Sequence, residues 1–216
     1  NTARVAPLLL AALLPAMAPA AALRWEALLP GEGSSGSLVA PKLQVGVVRP
    51  APKDQPAIAW QSEGGASVAR FGVASADALG LRTRLALEGT GPLVLAVRGA
   101  DGRVETMAIP AGAEEAWGPW TPGDAQALEV RSADGALGTV RVTGIVHFDR
   151  PLAAKAAGTC TVDAVCTTGN PVLDAAIAER KKSMAQFSFV EAGRAFVCTG
   201  TLVEGARAGE SFFLTA

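Results

Sequence analysis

The chain has 216 residues with 19 basic and 20 acidic side chains, a net charge of −1, so its charge balance calls for neither a nucleic acid nor an anionic membrane as partner. Twenty-four glycines and fourteen prolines set among Val, Leu and Thr favour many short strands and turns over long helices. The hydrophobic content of 50% is raised by alanine and by the first two dozen residues, and does not mark a membrane protein.

The N-terminus is read first. Arg4 precedes an apolar run from Val5 to Leu14, no further charge occurs before Arg24, and small residues fill Ala16 to Ala22. A basic start, a short apolar core and an A-x-A exit are what a signal peptidase requires. Pro7, Pro15 and Pro19 interrupt the stretch, whereas a membrane span needs about 20 unbroken apolar residues. Residues 1–22 are therefore expected to be a leader cleaved after Ala20 or Ala22, giving a secreted or periplasmic protein with no membrane association after cleavage. Residues 23–40, with Gly31-Glu32-Gly33-Ser34-Ser35-Gly36-Ser37, read as a polar, flexible linker.

From 41 to 150 the period is two. Leu81, Thr83, Leu85 and Leu87 fall on one face, with Arg82, Arg84 and Glu88 on the other. Leu93, Leu95 and Val97 repeat the device, as do Leu128 and Val130 against Glu129 and Arg131. Short strands with one apolar face, separated by Asp-Gly turns, predict an antiparallel β-sandwich. Leu85, Leu95, Val97, Leu128, Val130 and Val142 should face inward, and Arg82, Arg84 and Glu129 outward. His147 lies in the last strand and reads as a structural side chain. Trp117 and Trp120 are expected to plug the sandwich core or its edge, although exposed aromatics could also stack on a sugar. Glu114 and Glu115 diverge on an extended backbone and read as a solvated loop, not a catalytic pair.

Residues 151–159 form an Ala-rich connector with Lys155 at its centre. Pro171 can open a short helix capped by Asn170 and running to Arg180. Three strands are predicted after it: Met184–Val190, Ala195–Val203 and one from Ser211 onward, which stops at Phe212-Phe213-Leu214-Thr215-Ala216 without a cap or turn, as expected of a truncated chain. Cys160, Cys166 and Cys198 are the three cysteines, and an oxidising compartment favours pairing them. Three cannot all pair with one another, so either one thiol is unpaired or partners lie further along. With no C-x-x-C and His147 distant, no metal site is expected.

Cys160-Thr161-Val162-Asp163-Ala164-Val165-Cys166, then Cys198-Thr199-Gly200-Thr201-Leu202-Val203, then Phe213-Leu214-Thr215-Ala216 occur in this order. Together they resemble the opening of secreted bacterial trypsin-like serine proteases, especially the lysyl endopeptidase group. The stretch Trp117-Gly118-Pro119-Trp120-Thr121-Pro122-Gly123-Asp124 resembles part of the sandwich that precedes such proteases. The resemblance implies an all-β protein: a β-sandwich prodomain over 41–150, then the first strands of a trypsin-like double β-barrel from residue 160. It implies that the prodomain partners its own protease domain, assisting folding and masking the active site, that proteins or peptides are cut after Lys or Arg, and that no cofactor is used. The Ser-His-Asp triad would lie beyond Ala216, leaving residues 1–216 inactive alone, with Cys160, Cys166 and Cys198 pairing to downstream cysteines. Ser183, Ser188 and Ser211 have no G-x-S-x-G or G-D-S-G-G setting and are not nucleophile candidates. Lys155 would be the processing site. The alternative is a secreted β-sandwich adhesion or carbohydrate-binding module without catalysis.

Overall fold

Strand is the dominant element of the computed structural model, which describes residues 22–34, 38–39, 42–55, 58–89, 91–132, 138–152, 167–205, 207 and 209–215. In chain order the first strands are β1 (Ala22–Trp25), β2 (Leu38–Val39), β3 (Lys42–Pro50), β4 (Trp60–Glu63), β5 (Ala66–Ser75), β6 (Gly80–Glu88) and β7 (Leu93–Gly99). They continue with β8 (Val104–Ile109), β9 (Glu115–Trp117), β10 (Thr121–Pro122), β11 (Ala125–Ser132) and β12 (Thr139–Phe148). The helix α1 (Pro171–Lys181) and strands β13 (Met184–Glu191), β14 (Arg194–Glu204) and β15 (Ser211–Thr215) complete the described chain. The architecture is all-β and largely antiparallel, as the sequence predicts.

Two sheets form. One has the order β1-β5-β11-β7-β8 with β4 beside β5, and the other runs β10-β6-β12-β3-β14-β13 with β2, β9 and β15 attached. The core between them is built from the expected residues: Leu85, Leu95, Val97, Val130 and Val142 are 0% exposed and Leu128 2%. They join Leu81, Leu87, Leu93, Phe71, Val73 and Ile145 in one cluster. Arg82 and Arg84 stay off this face. Glu129 also points away from the core, yet it is buried on the outer side of its sheet between Arg70 (2.9 Å) and Arg131 (3.0 Å). Two ion pairs offset the desolvation of its carboxylate.

The period-two rule breaks once in a way that matters. The register between β12 and β6 passes from Val142↔Leu85 to Gly144↔Arg84, so Thr143 is an extra residue on β12. A bulge of this kind exchanges the two faces downstream. Val140 and Val142 are core residues before it and Ile145 after it, while Val146 and Phe148 turn to the opposite side.

The expected linker over 23–40 is partly structured. β1 pairs in parallel with Gly72–Ser75 of β5, Leu23 and Trp25 are 6% and 8% exposed, and the Trp25 indole N–H donates to the Pro50 carbonyl at 2.8 Å. Leu38–Val39 pairs with β3, and the Ser34 hydroxyl donates to Asp149 at 2.6 Å. The large apolar side chains Leu23 and Trp25 outweigh the polar composition around them, because burying each is worth about 1.5–3 kcal/mol.

α1 begins as predicted: Asn170 Oδ1 accepts from the backbone N–H groups of Val172 (3.0 Å) and Leu173 (3.3 Å), with Pro171 in the first turn. β13 and β14 are joined by Ala192 and Gly193, both at positive φ (47° and 74°), the two-residue turn whose twist suits a tight hairpin. This hairpin does not stand apart from the sandwich: β14 pairs with β3, so the second sheet contains strands from before residue 150 and strands from after residue 180.

Candidate functional site

Two of the three segments that carry the protease resemblance, Cys198–Val203 and Phe213–Thr215, lie on β14 and β15, which pair antiparallel from Gly200↔Thr215 to Glu204↔Ser211. Gly200 is required by geometry. A Cβ there would meet the Phe213 ring at 2.6 Å (Cζ) and the Leu214 carbonyl oxygen at 2.6 Å, so only glycine lets β15 approach this closely. Cys198 Sγ lies 3.4 Å from Thr215 Oγ1, and Thr215 Oγ1 is also 3.4 Å from the Thr199 carbonyl, which accepts from it. The Cys198 and Thr215 side chains thus sit side by side at one end of the β14–β15 pair. Beside them a 300 Å³ cavity is lined by Met184, Thr199, Gly200, Thr201, Leu214 and Thr215. Leu202, Phe212, Phe213 and Leu214 are all exposed on the same pair of strands.

Of the other sequence-predicted site residues, Ala20, Lys155, Cys160 and Cys166 lie outside the described residues. Ala22 is the first residue of β1. Of the serines set aside as nucleophiles, Ser183 Oγ donates to the Arg180 carbonyl at 3.0 Å, Ser188 is half-buried on β13 and Ser211 is exposed. Among the described residues no group of three His, Cys, Asp or Glu side chains could hold a metal ion.

His147 sits inside the sandwich, 2% exposed, with Nδ1 2.8 Å from Ser75 Oγ. The distance is that of a nucleophile and its base, but Ser75 is 0% exposed and its Oγ also accepts from Arg49 at 3.0 Å. No substrate carbonyl can reach a serine enclosed in this way, so the pair is structural. Burial, with Arg49 nearby, holds the His147 pKa below its ordinary value of 6.5. The unfolded chain therefore takes up the proton first on acidification. Stability from neutral His147 is full above about pH 6.5 and is lost as pH falls below it, by up to about 1.4 kcal/mol per pH unit. Urea unfolding at pH 7.5, 6.5 and 5.5 should show this decline, and His147→Gln, which can still bond Ser75, should flatten it. An unchanged midpoint in the parent chain across that range would contradict the assignment.

Both tryptophans are half-buried and occupied by neighbours. Trp117 lies under the guanidinium groups of Arg82 (5.7 Å) and Arg84 (5.6 Å). Trp120 covers Gly80 and meets the Phe148 ring edge-on at 6.4 Å. They seal a second apolar cluster instead of forming an open sugar platform. Sequence reasoning missed one feature: a buried polar network in which the Thr83 hydroxyl donates to Gln126 Oε1 (2.6 Å), while Gln126 Nε2 donates to the Leu81 carbonyl and Thr121 Oγ1 (both 2.9 Å). Thr83 on an otherwise apolar face was its one visible trace.

Comparison with known families agrees with the motifs. The family described as Lysyl endopeptidase N-terminal domain matches residues 16–143, and that described as Lysyl endopeptidase, C-terminal domain, matches residues 154–216. The chain belongs to the lysyl endopeptidase family. The two matches of this family are separated by residues 144–153, which run from within β12 into the connector that follows it. No curated protein matches the chain. Similar solved structures include the family 29 carbohydrate-binding module CBM29-2, at 13% identity over 50% of this chain and 92% of that one, TM-score 0.29. Another family 29 module matches at 12% identity over 55% and 88%, TM-score 0.27. The GH26-CBM35 β-(1,4)-mannanase of Podospora anserina matches at 14% identity over 49% and 26%, TM-score 0.26. At these TM-scores the likeness carries no functional argument. Among the described residues no helix is long and apolar enough to cross a membrane.

Proposed function

We propose that this chain is the N-terminal part of a secreted serine endopeptidase precursor that hydrolyses peptide bonds after Lys or Arg. The observation that carries the reading is the succession of the two lysyl endopeptidase domains, with Lys155 just past the start of the second. In this reading residues up to about 150 are a prodomain, the mature enzyme opens at Cys160, and proteins or peptides are the substrates. Peptide hydrolysis of this class uses Ser to attack the carbonyl, His to move the proton and Asp to orient the His. The described residues contribute framework to that chemistry: β14 and β15, held close by Gly200, fix the strand that carries Cys198. Cys160, Cys166 and Cys198 then pair with cysteines elsewhere in the full-length protein. The leader directs export and is then removed after Ala20 or Ala22, and cleavage after Ala20 leaves β1 whole, with Leu23 and Trp25 free to enter the core.

The connector is where prodomain and enzyme separate. Arg150 is a poor cleavage site because its N–H donates to the Val45 carbonyl (3.3 Å), its Nε donates to Ser34 Oγ (2.9 Å) and Pro151 follows it. Lys155 has small residues on both sides, so an extended backbone there can enter a cleft without clashes. An enzyme that prefers Lys can therefore cut its own precursor after Lys155. In the full-length protein, Lys155→Ala should slow processing at this bond by about 100-fold or more, as expected when a charged recognition contact is removed. N-terminal sequencing of the secreted product checks it; unchanged processing to the same N-terminus would rule out self-cleavage here.

A further inference from the structure

Strand β3 is held on one side by β12 and on the other by β14, from Arg194↔Val47 to Val197↔Leu43, with the register skipping Val45. The Val48 N–H donates to the Gly193 carbonyl at 2.8 Å. Where these three strands run together, Val45 and Val146 are 0% exposed, Phe148 and Ala195 1% and Val197 6%, forming an apolar cluster separate from the sandwich core. Trp117, Trp120, Leu43 and Val190 pack against it. Without the β13–β14 hairpin, β3 would present a row of unpaired N–H and C=O groups beside the apolar side chains of Val45, Val146 and Phe148. An edge of that kind recruits another strand.

The geometry points to β3 as the docking strand by which the prodomain stays bound to the protease segment after the connector is cut, with the hairpin Met184–Glu204 as its partner. The inference rests on the reading of residues up to 150 as a prodomain. It adds how the two parts hold one another: by strand addition along Arg194–Val197 and by burial of Ala195 and Val197 against Phe148. The contact needs no covalent link: the paired residues lie on β3 and β14, outside the connector, and of the connector's described residues Leu152 packs on the same cluster. Release of the prodomain then requires the β3–β14 pairing to open.

The test uses the full chain with Cys160, Cys166 and Cys198 changed to Ser and a recognition sequence for an added protease inserted after Ala154, so that cutting does not depend on the chain's own activity. Val47→Cys with Arg194→Cys places two thiols at facing positions of an antiparallel pair, within reach of a disulfide. After cutting, the two fragments should co-elute on a sizing column. On mild oxidation the facing pair should link at least ~10-fold faster than Val47→Cys with Glu204→Cys, because docking raises the effective concentration of the facing thiols. Val197→Asp should release the fragments while amide protection in β7 and β11 is kept. Fragments that separate without this change, equal linking rates for the two pairs, or co-elution unaffected by Val197→Asp would each overturn the proposal. Docking without any peptidase activity in the full-length protein upholds this inference and counts only against the peptidase reading.

Discussion

Leu95→Ala should lower the stability of the sandwich by about 3 kcal/mol, within the 2–5 kcal/mol typical of buried Leu→Ala changes, and its melting temperature by about 10 °C. Leu95 is 0% exposed on a strand flanked by β11 and β8, opposite Val130 on one side and Met107 on the other. The flexible Met107 side chain can fill part of the space, which holds the loss near the middle of that range. The preceding residue provides the control. Val94 is 45% exposed on the opposite face of the same strand, and Val94→Ala should change stability by no more than about 0.5 kcal/mol. Thermal unfolding of the two variants reads the register of the sheet directly. Similar losses in both would mean that β7 is not one-sided.

Gly200→Val should detach β15 from β14. The added Cβ would overlap the Phe213 ring and the Leu214 carbonyl, and a backbone oxygen cannot move aside as a flexible side-chain end can. Overpacking costs about 1–3 kcal/mol where a core can adjust, and a clash with backbone lies at or above the upper end. Every residue of β15 is exposed, and β15 pairs only with β14 among the described strands, so it has little else to hold it. Hydrogen exchange should show Phe212–Thr215 losing most of its protection while β6, β7 and β11 keep theirs. Intact protection of β15 in this variant would contradict the close approach seen at Gly200.

What the sequence made legible was whatever repeats locally. Period-two alternation over Leu81–Glu88 and Leu93–Val97 placed both strands and their inward faces, and Asn170-Pro171 marked the start of α1. Bulges and long-range pairings were not legible. Thr143 looks like any strand residue, yet as an extra residue on β12 it sends Val146 and Phe148 to the second cluster. Leu23 and Trp25 sit in a polar stretch whose composition reads as linker, and their partners on β5 are some fifty residues away. The pairing of β14 with β3 joins residues about 150 apart, across a connector that reads as a boundary. No local pattern encodes which edge accepts which strand. At the site, the C-x-G-x-L and F-L-T segments were visible as motifs, but the reason for the glycine emerged only when Phe213 and Leu214 were seen packed across it.

We propose that the full-length protein that contains this chain is a lysyl-type endopeptidase. The most direct test is incubation of the purified, processed full-length protein with a mixture of unstructured peptides, with the cleaved bonds identified by mass spectrometry. New C-termini should be almost entirely Lys, or Lys and Arg, and a serine-directed inhibitor should abolish their appearance. Intact peptides, or cleavage without preference for a basic residue before the cut bond, would contradict the account.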